Sequence, residues 1–189
     1  MQPSVVMPAP RSGLPGSWDR LVGPGMGWRE TLLVIGSGSV GAILAAWALA
    51  AQGANIWLVV LGAVIALDVI GGAVCFATET TKRWYHRPDA TVGQHVSFTS
   101  LHLLHIGVVA WAFRGDGFDA TYAMAVSACL IVAMAAVLAT PRRLKLPVAV
   151  TCFLAGSGLV LCVLGATPGL EWFAPALFVK LLIGHLVPR

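Results

Sequence analysis

Six apolar segments, each about as long as a bilayer is thick, determine what this chain can fold into. A helix needs about 20 predominantly apolar residues to cross the hydrocarbon core of a membrane. The segments cover residues 31–50, 56–78, 96–113, 120–140, 146–166 and 170–188. The sequence therefore predicts an all-α fold, a polytopic membrane helix bundle with six transmembrane helices.

The low charge content excludes a soluble fold. Hydrophobic residues make up 58% of the 189 residues and charged residues only 11%, whereas soluble domains average about 45–50% and about 25%. So few charges cannot form a polar shell, and we expect an integral membrane protein that contacts the lipid bilayer. The net charge of +4 suits a basic rim that faces anionic inner-leaflet lipids, and it gives no reason to expect nucleic acid as a partner.

The chain divides into two regions of different composition. Residues 1–29 hold five prolines, several glycines and no continuous apolar run, which is typical of a flexible tail. Residues 30–189 hold all six apolar segments. We therefore expect a flexible cytoplasmic tail at 1–29 and a single six-helix transmembrane domain at 30–189.

The last apolar segment is the weakest of the six, because it contains Glu171, Pro175, Lys180 and His185. Charged groups are costly at membrane depth, and proline interrupts a helix. Five transmembrane helices followed by a re-entrant or interfacial helix are therefore the alternative architecture.

The distribution of basic residues between the segments predicts the orientation. Ten Lys and Arg residues lie in the N-terminal region, the second-to-third loop, the fourth-to-fifth loop and the C-terminus, and only Arg114 lies in the remaining loops. Basic residues accumulate on the cytoplasmic side of membrane proteins. We therefore expect an even number of spans, both termini in the cytoplasm, and a location in the plasma (inner) membrane.

Glycines in the first span have the spacing G-x-G-x-x-G, at Gly36, Gly38 and Gly41. This spacing also occurs in dinucleotide-binding folds, where an acidic residue follows about 20 positions later. No acidic residue lies between Trp57 and Leu67, and the rest of the chain offers no alternating strands and helices. We interpret the glycines as a close-contact face between the first two membrane helices.

Ionisable residues concentrate between Asp68 and His105, which is a functional-site hypothesis at membrane depth. With a rise of about 1.5 Å per residue, Asp68 and His105 are expected at one depth, and Glu79 and His95 at another. Spacing places Asp68 and Glu79 on one stripe of the second span, and the three histidines of the third span on one face of that helix. We predict a polar vestibule between the second and third spans that opens to the cytoplasm. Its predicted catalytic residues are Asp68, Glu79, His95, His102 and His105, and its additional walls are Lys180 and His185.

The predicted mouth of the vestibule combines basic and aromatic side chains. Its candidate headgroup-binding residues are Lys82, Arg83, His86 and Arg87. Basic side chains bind lipid phosphates, but they also serve as an ordinary positive-inside anchor, and both interpretations remain open.

Two kinds of cofactor are compatible with these residue types. Asp68, His102 and His105 supply enough donors for one divalent metal ion, with Zn²⁺ or Fe²⁺ the best match to imidazole and carboxylate. A histidine of the third span together with His185 would instead ligate a non-covalent haem. Without either, Asp68 is expected to form an ion pair with Lys180 or a hydrogen bond to a facing histidine.

Three functions remain open from the sequence. The first is a small enzyme, a hydrolase or transferase, that acts on a lipid-like substrate from the inner leaflet. The second is a haem-binding or proton-coupled membrane protein, in which histidines and a carboxylate relay protons. The third is an accessory subunit that binds other membrane proteins through its polar stripe.

Overall fold

The computed structural model describes residues 8–189, and every regular element in that range is helical. The α-helices are α1 (Gly13–Val22), α2 (Trp28–Ala51), α3 (Ile56–Ala77), α4 (Glu79–Tyr85), α5 (Val92–Leu101), α6 (Leu103–Ala112), α7 (Ala120–Ala139), α8 (Lys145–Gly158) and α9 (Phe173–Phe178). A 3₁₀ turn, Arg142–Leu144, precedes α8, and π-helical segments extend α8 (Leu159–Gly165) and α9 (Val179–His185).

Five of the helical stretches are long and apolar enough to cross a membrane. They are Trp28–Ala51, Ile56–Ala77, Val92–Ala112, Ala120–Ala139 and Arg142–Gly165. The predicted all-helical bundle with several membrane helices is therefore confirmed. A sixth span remains a prediction, because the last apolar helix, Phe173–His185, is shorter than the others. The cytoplasmic location of both termini, which depends on an even number of spans, also remains a prediction.

The hairpin of α2 and α3 is closely packed at Gly38 and Gly41, as the sequence predicts, whereas a Cβ atom added at Gly36 would meet nothing within 4 Å. A Cβ atom added at Gly38 would lie 2.9 Å from the carbonyl oxygen of Leu67 and 3.3 Å from the Cα of Gly71. Only residues without side chains allow two helix backbones to approach so closely. Asn55 begins α3, since its side chain accepts a hydrogen bond from the backbone N–H of Leu58 at 3.1 Å.

The last helix runs through the interior of the bundle. Gly169, just before it, lies against Leu49 at the end of α2, whereas Val187, just after it, accepts a hydrogen bond from Lys82 of α4. Its side chains Phe173 and Leu181 are completely buried. Neighbouring helices therefore surround this segment, which explains how it tolerates Pro175 and Lys180 although it is the least apolar of the six.

Part of the predicted N-terminal tail forms α1, which packs against α4. Three side chains of α4 donate hydrogen bonds to the last carbonyls of α1: Trp84 to Arg20, Tyr85 to Leu21, and Thr81 to Val22, at 3.0, 3.0 and 2.5 Å. The last carbonyls of a helix have no partner within it, so these bonds stabilise its end.

The segments that carry most of the basic residues meet at one end of the bundle. Besides the α1–α4 contact, Arg142 donates to the carbonyl of Arg189, and Arg189 pairs with Glu79. We call the region formed by the C-terminal end of α1, α4, the Arg142–Leu144 turn and residues 186–189 the basic end.

Candidate functional site

All five histidines of the chain belong to one series of ring contacts, with Phe98 between His185 and His102, which we call the histidine row. In spatial order, starting from the basic end, the row comprises His86, His95, His185, His102 and His105. His86 follows α4, His95 lies on α5, His185 ends the π-helical segment of the last helix, and His102 and His105 lie at the start of α6. Four separate parts of the fold therefore contribute to it.

The inner end of the row is an ion pair between Asp68 and Lys180. Lys180 Nζ lies 2.7 Å from Asp68 Oδ2, and His105 Nε2 lies 3.2 Å from the same oxygen. The Lys180 side chain is only 3% exposed, and it passes directly over Gly72, where a Cβ atom would lie 2.5 Å from Lys180 Cε. Both contacts expected of Asp68, the ion pair with Lys180 and the hydrogen bond to a facing histidine, are therefore present.

His102 joins this pair from the break between α5 and α6. The helix is interrupted at His102, whose Nδ1 lies 2.9 Å from the carbonyl oxygen of Phe98 and whose ring stacks on His105 at a centroid distance of 5.1 Å. Because a carbonyl oxygen only accepts, Nδ1 carries the proton, and in the neutral ring Nε2 is then an acceptor. In the described part of the chain, Nε2 has no hydrogen-bond partner.

The outer part of the row is a direct histidine–histidine hydrogen bond. His95 Nδ1 lies 3.1 Å from His185 Nε2, and the ring of His86 stacks on that of His95 at 4.9 Å. His86 Nε2 also donates to the carbonyl oxygen of His185 at 2.9 Å. The aromatic rings of Phe76 and Tyr85 pack around His185 at 5.0 and 5.2 Å, which keeps it almost completely buried.

Phe98 separates the outer histidines from the inner ones. Its ring centroid lies 4.4 Å from that of His185 and 4.9 Å from that of His102. A phenyl ring neither donates nor accepts a proton, so the row of rings is continuous while its hydrogen bonds are not.

Three buried polar atoms close to this interruption have no hydrogen-bond partner. They are Thr99 Oγ1, His105 Nδ1 and His185 Nδ1. Buried polar atoms are normally paired, so a cluster of exceptions marks a place where polar contacts change or water enters. Thr99 lies one turn after His95 and one turn before His102, on the same face of α5.

Burial controls the protonation of the groups at the basic end. It lowers the pKa of His86 to about 4, with His95 as a second cause, so His86 is uncharged at neutral pH. Burial alone lowers the pKa of Lys82 to about 8, and it raises the pKa of Tyr85 to about 12.

The four candidate headgroup residues have different surroundings. Lys82 Nζ donates to the carbonyls of Ile183 and Val187 at 3.1 and 2.5 Å, so it caps the last helix. Arg87 lies 4.4 Å above the ring of Trp84, and Arg83 is about half exposed beside Glu79. Lys82 and His86 are thus occupied by the last helix, and a headgroup role for the two arginines remains a prediction.

Glu79 does not lie on the same helix face as Asp68, although the sequence predicts that the two carboxylates share one. Its side chain is 58% exposed and pairs with Arg83 and Arg189 at the basic end. The reason is local: Thr78 has extended backbone angles and caps a new helix, so α3 ends at Ala77 and its periodicity does not reach Glu79. His95 pairs with His185 instead.

The predicted metal and haem sites find no support in residues 8–189. No group of three or more His, Cys, Asp or Glu side chains there is arranged to hold a metal ion. The ammonium group of Lys180 lies 2.7 Å from Asp68 Oδ2, where its positive charge opposes a bound cation, and His102 Nδ1 is bonded to Phe98. A haem does not fit between His95 and His185, because their nitrogens bond each other directly.

Comparison with protein-family models, with curated proteins and with solved structures finds no match to this chain.

Proposed function

We propose that this membrane protein transfers protons between the basic end of the bundle and the Asp68–Lys180 ion pair, along the histidine row. The observation that carries the proposal is the series of ring contacts through all five histidines and Phe98, which ends at half-exposed Asp68 and buried Lys180.

Imidazole is suited to this task because one ring nitrogen donates while the other accepts, and because its charge changes near neutral pH. Ionisable side chains inside a membrane protein commonly form such relays. His86 fits the role of the entry group, since it is uncharged at neutral pH and is partly exposed at the basic end.

The hydrogen bonds of the row are interrupted at Phe98 and also within the stacked pairs His86–His95 and His102–His105, so transfer is conditional on movement. The unpaired atoms Thr99 Oγ1 and His185 Nδ1 are available to complete the chain when a side chain turns or a water enters. His185 and Lys180 share the π-helical segment Val179–His185, a type of helix that is frequent at functional sites. A shift of this segment would therefore change the outer row and the ion pair together.

A lipid-modifying hydrolase or transferase is the second candidate. It is favoured by the contact between Asp68 and His105, since a carboxylate that holds an imidazole is a common general acid–base pair. It lacks the support of Glu79, which lies with the arginines of the basic end.

Proton flux into liposomes tests the first proposal. The full chain is reconstituted with the pH dye pyranine inside, and a potassium gradient with valinomycin drives proton entry. We expect flux above that of empty vesicles, at least a tenfold loss in His95→Gln and His102→Gln, and a gain in Phe98→His, which would place an imidazole between His185 and His102. Phe98→Leu is the matched control, because it changes the same position and adds no proton carrier.

The proposal is wrong if the wild-type protein conducts no better than empty vesicles under either polarity of the gradient. It is equally wrong if both histidine variants, folded as judged by gel filtration, conduct like the wild type. Unchanged flux in Phe98→His would refute the role given to the interruption.

A further inference from the structure

An apolar cavity of about 480 Å³ lies between α1, α2 and α3 and reaches the Asp68–Lys180 pair, Phe98 and His102. Trp18 of α1, Val34 of α2 and Val64 of α3 form part of its wall. Cavities that hold small molecules usually have volumes of about 300–1,000 Å³, with apolar walls and a few polar groups. This cavity has both the size and the composition of such a site.

The cavity opens toward the surface that α2 and α3 present to lipid. Ile35, Val64 and Leu67 line it, and each is about half exposed on a helix long and apolar enough to cross a membrane. A molecule would therefore enter sideways from the bilayer, which selects a ligand with a long hydrophobic chain.

The polar end of the cavity selects the head of the ligand. Asp68, His102 and Lys180 line this end. The charges of Asp68 and Lys180 cancel, so an additional charged head would be buried beside a neutral pair at high cost. Lys180 has three N–H donors, two of which lie near the Asp68 carboxylate and carbonyl oxygens, and His102 Nε2 is an unpaired acceptor.

We propose that this cavity binds a long-chain alcohol, whose uncharged hydroxyl accepts a hydrogen bond from Lys180 and donates one to His102. A hydroxyl group supplies one donor and two acceptor sites, which matches the two protein groups. Straight-chain and isoprenoid alcohols share this chemistry. The site shares Asp68, Lys180 and His102 with the histidine row, but the binding of an alcohol does not require proton transfer, so each proposal can fail without the other.

Photo-crosslinking in nanodiscs tests it. The full chain in phosphatidylcholine nanodiscs is irradiated with diazirine-bearing hexadecanol, farnesol, palmitic acid or hexadecane, and the labelled peptides are identified by mass spectrometry. We expect the alcohols to label peptides of α1 and α3 about three- to tenfold more than the alkane or the acid, the effect of one or two hydrogen bonds. Comparison of hexadecanol with farnesol distinguishes the two chain types.

Two substitutions on the same face of α3 provide the matched pair. Val64→Trp fills the cavity and should abolish the preferential labelling, whereas Val60→Trp, one turn away on an equally lipid-exposed position outside the cavity, should leave it unchanged. His102→Phe should remove the preference for alcohol over alkane while the chain is still captured.

Equal labelling by alcohol, acid and alkane would overturn the proposal, as would labelling that survives Val64→Trp. Stronger capture of palmitic acid than of hexadecanol would also overturn it, because it would mean that the polar end binds an anion.

Discussion

Replacement of Asp68 by asparagine should strongly destabilise the protein, because it leaves the ammonium group of Lys180 buried without a counter-charge. The two groups lie 2.7 Å apart. At an effective dielectric constant of about 20, unit charges at that distance attract each other by about 6 kcal/mol. The Asp68 side chain is 48% exposed, and burial of the ammonium opposes the attraction, so we expect about half of this value.

The expected loss in the free energy of unfolding is thus about 3 kcal/mol, within the usual cost of breaking a buried ion pair. For a chain of this length, that loss corresponds to a melting temperature lower by about 6–12 °C. Differential scanning fluorimetry of the purified full chain in detergent micelles measures it. Asp89→Asn is the control, because Asp89 pairs with Arg87 on the surface and such pairs contribute less than about 1 kcal/mol.

The double variant Asp68→Asn with Lys180→Met makes the test specific. It removes both charges, so no unpaired charge remains, and we expect it to regain at least half of the lost stability. A melting temperature of Asp68→Asn within about 2 °C of the wild type, or a double variant whose loss equals the sum of the two single losses, would refute this account of the pair.

Three further outcomes follow from the structure. Since burial lowers the pKa of His86 to about 4, the unfolded chain binds a proton at its ordinary value of about 6.5 before the folded chain does. The stability contributed by neutral His86 is complete above that value and falls as the pH drops toward 4, so the melting temperature should decrease over this range and His86→Gln should reduce the decrease. Gly38→Ala should lower the free energy of unfolding by about 1–3 kcal/mol, because its Cβ would lie 2.9 Å from a carbonyl oxygen of α3. Gly36→Ala, where the Cβ would meet nothing within 4 Å, should leave the protein equally or more stable; chemical denaturation in micelles measures both variants. Lys82→Met should lower the free energy of unfolding by about 2 kcal/mol, because it removes charged hydrogen bonds to two carbonyls of the last helix. Arg83→Met, at a half-exposed position, should change it by less than about 0.5 kcal/mol.

The helices could be predicted from the sequence because uninterrupted apolar runs leave the backbone no alternative in a membrane. The second span was expected at 56–78 and is found at Ile56–Ala77. The same regularity explains the contact of Asp68 with His105, since both lie on helices whose depth can be counted from their ends. The third predicted span, expected from residue 96, begins earlier, at Val92 of α5. Thr91 and Gln94 form a capping box there, which apolar content does not reveal.

The rest of the site depends on events that periodicity does not record. The cap at Thr78 redirects the chain and takes Glu79 away from the stripe of α3. The contact of His95 with His185 joins positions 90 residues apart, so no local pattern predicts it. The position of Phe98 within the row was not predicted. It lies one turn after His95 and one turn before His102, so its spacing on the same helix face could have indicated this position.

The interior position of the last helix has a consequence for how the protein is made. A segment of thirteen residues with a lysine at its centre is a poor substrate for direct partition into lipid. It is synthesised after the five long helices and α4, which carry its partners Asp68, Lys82 and His95. The earlier helices thus surround this segment, and we expect its insertion to depend on contacts with them more than on its own hydrophobicity.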